Sequence, residues 1–71
     1  MPYATIDDLP PSVRHLPRHA QEIFRAAFNA AWRSYAERDP QTQEEIAFRV
    51  AWAAVTKRYR KIGGLWVEIE R

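Results

Sequence analysis

The sequence predicts a mainly α fold, with three helices in one compact domain over residues 1–71. Two helices are expected to be long and antiparallel, with the N- and C-terminal segments pairing as a small two-stranded β-sheet. Three observations carry this. Residues 19–35, HAQEIFRAAFNAAWRSY, place Ala20, Ile23, Phe24, Ala27, Phe28, Ala31 and Tyr35 within about 140° of arc at about 100° per residue. A second helical stripe follows, with Ala47, Val50, Ala51, Ala54 and Val55 on one face and Phe48, Trp52 and Tyr59 widening it. After Gly63-Gly64 the period becomes two, as Leu65, Val67 and Ile69 alternate with Trp66, Glu68 and Glu70.

Taken in order, residues 2–6 have the Tyr, Thr and Ile of an edge strand. Asp7 or Asp8 offers an N-cap for a short helix over 9–15, where Pro10 and Pro11 suit a first turn. Pro17 ends that helix by forcing Leu16 into an extended conformation, and opens the main helix, expected over 17–37. Its apolar arc is too wide for a coiled-coil seam and suits packing against two or more neighbours. Asp39-Pro40 closes it. Thr42-Gln43-Glu44-Glu45 then matches a capping box and starts a helix expected to run to Lys61. A loop of about four residues makes the two long helices antiparallel neighbours. Gly63-Gly64 supplies the left-handed cap. The tail is a strand, and its economical partner is 2–6. Ile23, Phe24, Ala27, Phe28, Ala31, Val50, Ala51, Ala54 and Val55 form the expected core.

The chain is 71 residues long with no cysteine, so neither disulfide nor thiolate metal site can brace it. Three Trp, three Phe, three Tyr and the aliphatics must supply the core. The longest apolar run, 50–55, falls far short of the roughly 20 residues of a membrane span. MPYATIDD lacks the hydrophobic core of a secretion signal. A soluble, cytoplasmic protein without membrane insertion is expected.

No constellation reads as an enzyme site. Ser12 and Ser34 lack recognisable partners, and Asp7-Asp8 and Glu44-Glu45 sit where helix starts favour acids. His15 and His19 have ligand spacing, but Pro17 between them breaks the shared face and no third ligand follows. They read as capping or surface histidines. No catalytic residue, cofactor or metal is expected. Trp32, Trp52 and Trp66 read as core rim in preference to partner anchors. Arg58 falls inside the third helix's apolar face and reads as a snorkelling side chain.

Charge is the remaining signal. The net charge is +2, with Lys57, Arg58, Arg60 and Lys61 crowded into five residues. Cations complement the dipole of a last helical turn, the simpler explanation. The functional explanation is a phosphate or acidic-partner surface made of Arg14, Arg18, Lys57, Arg60 and Lys61.

The order DLP (8–10), LPRHAQEI (16–23), AFNAAW (27–32), Tyr35 and VAWAAV (50–55) with Tyr59 closely resembles the ChaB family. The likeness runs from Met1 to about Lys61. It implies a mostly helical fold with a small terminal sheet, and a non-enzymatic regulator of a cation/proton antiporter. The implied partner is a protein, the membrane antiporter, exporting calcium or sodium in bacteria. Some viral relatives are regarded as DNA-binding, so a nucleic-acid-binding accessory module is the alternative. The loop 38–41 is shorter than in bacterial members and the tail 65–70 more apolar. Both differences bear on the surface. The family supplies no catalytic residue to carry over.

Overall fold

The computed structural model describes residues 3–69. A 3-10 turn, Ile6–Asp8, precedes two helices, α1 (Arg18–Ser34) and α2 (Pro40–Arg58), and two strands, β1 (Tyr59–Ile62) and β2 (Leu65–Glu68). The helices are antiparallel neighbours. Ring contacts join His19 to Tyr59, Phe24 to Trp52 and Phe28 to Phe48, while Gln43 reaches the Trp32 carbonyl. Partner numbers fall as α1 advances, as antiparallel packing requires.

Among the described residues two α-helices are present where three helices were expected. Residues 9–17 form successive turns, with the Val13 amide donating to the Pro10 carbonyl at 2.9 Å and Leu16 to Val13 at 3.0 Å. Two prolines without amide protons, and a third that fixes Leu16, leave too few bonds to propagate a helix. Burial survives this correction. Leu9, Val13 and Leu16, absent from the expected core, are all buried and belong to it.

The helix ends also move. Asp39-Pro40 opens α2 instead of closing α1, with the Asp39 carboxylate accepting from the Thr42 amide at 3.1 Å and Pro40 in the first turn. The acid outcompetes the Thr42 capping box because proline's fixed φ already suits the first helical position. These Thr42 hydrogen bonds hold the Asp39 carboxyl below its ordinary value. At the far end α2 stops at Arg58, and the basic run enters a strand.

The sheet is a hairpin and does not join the termini. β1 and β2 are antiparallel in the register Tyr59↔Glu68, Arg60↔Val67, Lys61↔Trp66 and Ile62↔Leu65. Gly63 and Gly64 form the two-residue turn at φ +56° and +84°, the left-handed region a type I′ hairpin demands. The Ile69 amide extends the ladder to the Arg58 carbonyl at 2.7 Å. A strand two residues away closes a far smaller loop than the N-terminus would, which decides the pairing. Pro2 lies outside the described residues, and residues 3–5 are not a strand. Tyr3 is held instead by α1: its amide donates to Asn29 Oδ1 at 2.8 Å, and its carbonyl accepts from Asn29 Nδ2 at 2.9 Å.

Candidate interaction surface

The apolar stripe of α1 has two flanks with different fates. About 100° per residue sets Gln21, Arg25, Asn29 and Trp32 on one side of the buried Phe24–Phe28 line, and Ile23 and Ala27 on the other. The first flank binds the N-terminal segment. Gln21 Nε2 donates to the Leu16 carbonyl at 2.7 Å, and Arg25 Nη1 to the Tyr3 carbonyl at 3.1 Å. The Tyr3 ring lies 4.8 Å from that of Phe28. On α2 the matching flank carries Phe48 and Trp52, and Trp66 of β2 stacks on Trp52 at 6.0 Å. The three tryptophans are half-buried around this core, in keeping with the rim reading.

Among the described residues the opposite flank has no cover. Ile23 and Ala27 of α1 face Val50 and Ala54 of α2 across a shallow groove of about 750 Å³. Val50 is 39% exposed, a correction to its place in the expected core, and Ile23, Ala27 and Ala54 are only half-buried. The helices turn these positions away from the segment that seals the aromatic side, and among the described residues only α1 and α2 line the groove. His19, Lys57 and Arg58 line one end, with His19 Nδ1 lying 3.8 Å from the Glu22 carboxylate. Among the described residues neither Lys57 nor Arg58 has an acidic side chain within ion-pair distance.

The five cations singled out from sequence are dispersed over different elements. Arg14 sits in the turns before α1 and Arg18 opens it, both exposed. Lys57 lies at the end of the groove, in the last turn of α2. Arg60 and Lys61 are consecutive in β1, so strand alternation sends them to opposite faces. Lys61 shares a hollow of about 520 Å³ with His15, Trp52 and Trp66. Arg60 lies on the outer face with Ile62, Leu65 and Val67, which are 56%, 71% and 45% exposed. On the inner face Tyr59 lies under the hairpin, its hydroxyl pKa raised by desolvation and by the carboxylate of Glu68 across the ladder. Arg58 is exposed beyond the apolar face, and no metal-binding group of three His, Asp or Glu occurs among the described residues.

Sequence reasoning missed the groove as a surface. The available signal was the width of the α1 arc, broader than α2 and a turn segment together cover.

Comparison with known proteins adds a family. The ChaB family profile matches residues 9–68, so the match includes the hairpin. A protein of Escherichia coli (strain K12) named "Putative cation transport regulator ChaB" is 53% identical over 66 residues, spanning 86% of this chain and 87% of the relative. The protein of that name from Shigella flexneri matches with the same identity and coverage. A solution NMR structure bearing the same regulator's name superposes with a TM-score of 0.85 at 45% identity, covering 97% of this chain and 100% of the other.

Proposed function

The chain belongs to the ChaB family, and from that premise we propose a non-enzymatic cytoplasmic regulator that acts on a cation/proton antiporter by protein contact. The open groove between α1 and α2 is the observation that carries this reading. Its floor is aliphatic, and its titratable lining is His19, Lys57 and Arg58, with no nucleophile held against a base. Such a surface buries a partner's side chains and has little means of transforming a small molecule. None of the described helices is long and apolar enough to cross a membrane, so the antiporter is met at its aqueous surface.

The nucleic-acid alternative asks Arg14, Arg18, Lys57, Arg60 and Lys61 to act as one surface. The opposite facing of Arg60 and Lys61 favours protein contact over it. The test measures cation/proton exchange in vesicles holding a fixed amount of antiporter, with and without the purified protein. Labelled duplex DNA is titrated in parallel at two salt concentrations. Exchange that shifts, with negligible DNA binding at physiological salt, supports the regulator. Unchanged exchange overturns it, as does salt-resistant DNA binding abolished by Lys57→Glu/Lys61→Glu.

A further inference from the structure

We propose that the α1–α2 groove takes an amphipathic helix of the partner, with acidic side chains at the end that meets Lys57 and Arg58. The inference rests on the regulator reading and names the chemistry of its partner. Three features of the groove lead to it.

The first is the absence of backbone partners in its walls. Both walls are helices, whose interior amides and carbonyls are already bonded to one another. An extended peptide laid on Ile23, Ala27, Val50 and Ala54 would turn its own amides and carbonyls toward an aliphatic floor. A helix satisfies those groups internally and presents only side chains. The second is shape. Ala26, Ala27, Ala53 and Ala54 are small, so a third helix can approach both walls closely, as helix packing distances of about 8–10 Å require. His19 to Ala27 is nine residues, a rise of about 12 Å along α1 and enough to seat a partner's anchors at i, i+3, i+4 and i+7.

The third is charge. Every titratable group lining the groove is basic, and Lys57 and Arg58 lack acidic partners among the described residues. A second copy of this chain would bring the same basic lining, and the carboxylates nearest it, Glu22 and Glu68, already lie beside its own His19 and beside its own Lys57 and Arg58. An acidic helix answers both the apolar floor and the cationic end, and its C-to-N orientation is set by where its carboxylates fall.

The experiment uses the full-length protein and four labelled probes. One is an 18-residue amphipathic helix with glutamates at one end; the second replaces these with lysines; the third carries a central proline; the fourth is a phosphatidylglycerol-rich vesicle. The acidic helix is expected to bind and to shift the amides of Ile23, Ala27, Val50 and Ala54. Lys57→Glu/Arg58→Glu should weaken it by about ten-fold or more, while the lysine probe gains affinity for that variant. Val50→Glu, at an exposed position, should abolish binding without changing the melt. Equal binding of the proline or lysine probe by the wild type would overturn the proposal, as would binding of the vesicle alone or self-association through this face. An antiporter that responds equally to wild type and Val50→Glu refutes the groove and spares the regulator. A wild type that binds the acidic helix but leaves exchange unchanged refutes the regulator and spares the groove.

Discussion

The two flanks of the α1–α2 pair bury apolar surface in opposite ways. On one, Phe24, Phe28, Phe48 and Trp52 lie beneath a cover made by Tyr3, Leu9, Val13, Leu16 and Trp66. On the other, Ile23, Ala27, Val50 and Ala54 form a floor with nothing over it among the described residues. Aromatic rings expose large areas that a small chain must hide, so the limited covering segment goes where it removes most surface from water. Small aliphatics expose little and leave a flat groove. Stability is thereby concentrated on one side, and the other is left free for binding at low cost.

The sharpest way to break this contrast is to empty the covered flank. Phe28 is fully buried and its ring meets those of Tyr3, Phe24, Trp32 and Phe48. Phe28→Ala should cost about 3–5 kcal/mol, read from urea unfolding. In a chain this short that is much of the total stability. A midpoint unchanged from wild type would mean that the aromatic side does not hold the fold.

A smaller loss is expected from cutting the cover's polar anchor. Asn29→Ala removes both hydrogen bonds to Tyr3 and should cost about 1–3 kcal/mol. Hydrogen exchange at the Tyr3 amide should accelerate in this variant. Truncation after Gly64 should leave that amide unchanged, because Tyr3 pairs with α1 and not with β2. Faster exchange in the truncated chain would restore the terminal sheet.

How much of this was legible in the sequence differs between the flanks in the same way. The stripe over 19–35 located α1, whereas Gly63-Gly64, read as the end of the second long helix, is the hairpin turn, and the change to a strand comes earlier, at Tyr59. Helical spacing fixes which residues share an arc, but it does not say which side of the arc the rest of the chain will cover. The covering segment was assigned a helix because Asp7 and Asp8 offer an N-cap and Pro10 and Pro11 suit a first turn; three prolines made it turns, which bury Leu9, Val13 and Leu16. Tyr59 and Ile62 are also spaced as helix neighbours, and only the return of Glu68 and Leu65 beside them makes a strand. The hold of Asn29 on Tyr3 was not legible, because a side-chain amide that pairs with a distant backbone leaves no trace in periodicity. The cations were legible as a run, but their placement was not, since a helix would have spread Arg60 and Lys61 by about 100° and a strand opposes them.

The joint between the helices tests whether both flanks share one support. Thr42 hydrogen bonds lower the Asp39 pKa from its ordinary value of 3.8, so the folded state binds this proton less readily than the unfolded chain. The resulting stabilisation is complete above the ordinary carboxylate range and is lost as pH falls through the lowered value. Asp39→Asn keeps a capping oxygen without the charge. Its melting temperature should lie slightly below wild type at neutral pH, and the gap should close in strong acid. A gap that is constant with pH would show that the charge contributes nothing.

The smallest expected effect carries the most information about the open flank. Val50 and Ala51 are consecutive in α2, yet Ala51 is fully buried and Val50 is 39% exposed. Glutamate at 51 would bring a charge into the core beside Phe24 and Val55, and that variant should not fold. Glutamate at 50 points its carboxylate to water across the groove, where Lys57 lines the same wall. Its cost should stay within about 0.5 kcal/mol in thermal melts, the ordinary range for a surface position. The two variants differ only in which side of one helix receives the charge. If Val50→Glu were as damaging as Ala51→Glu, the groove would be core and both flanks would hold the fold alike. If it melts as wild type does, the aliphatic flank bears little of the stability and is free to be filled by a partner.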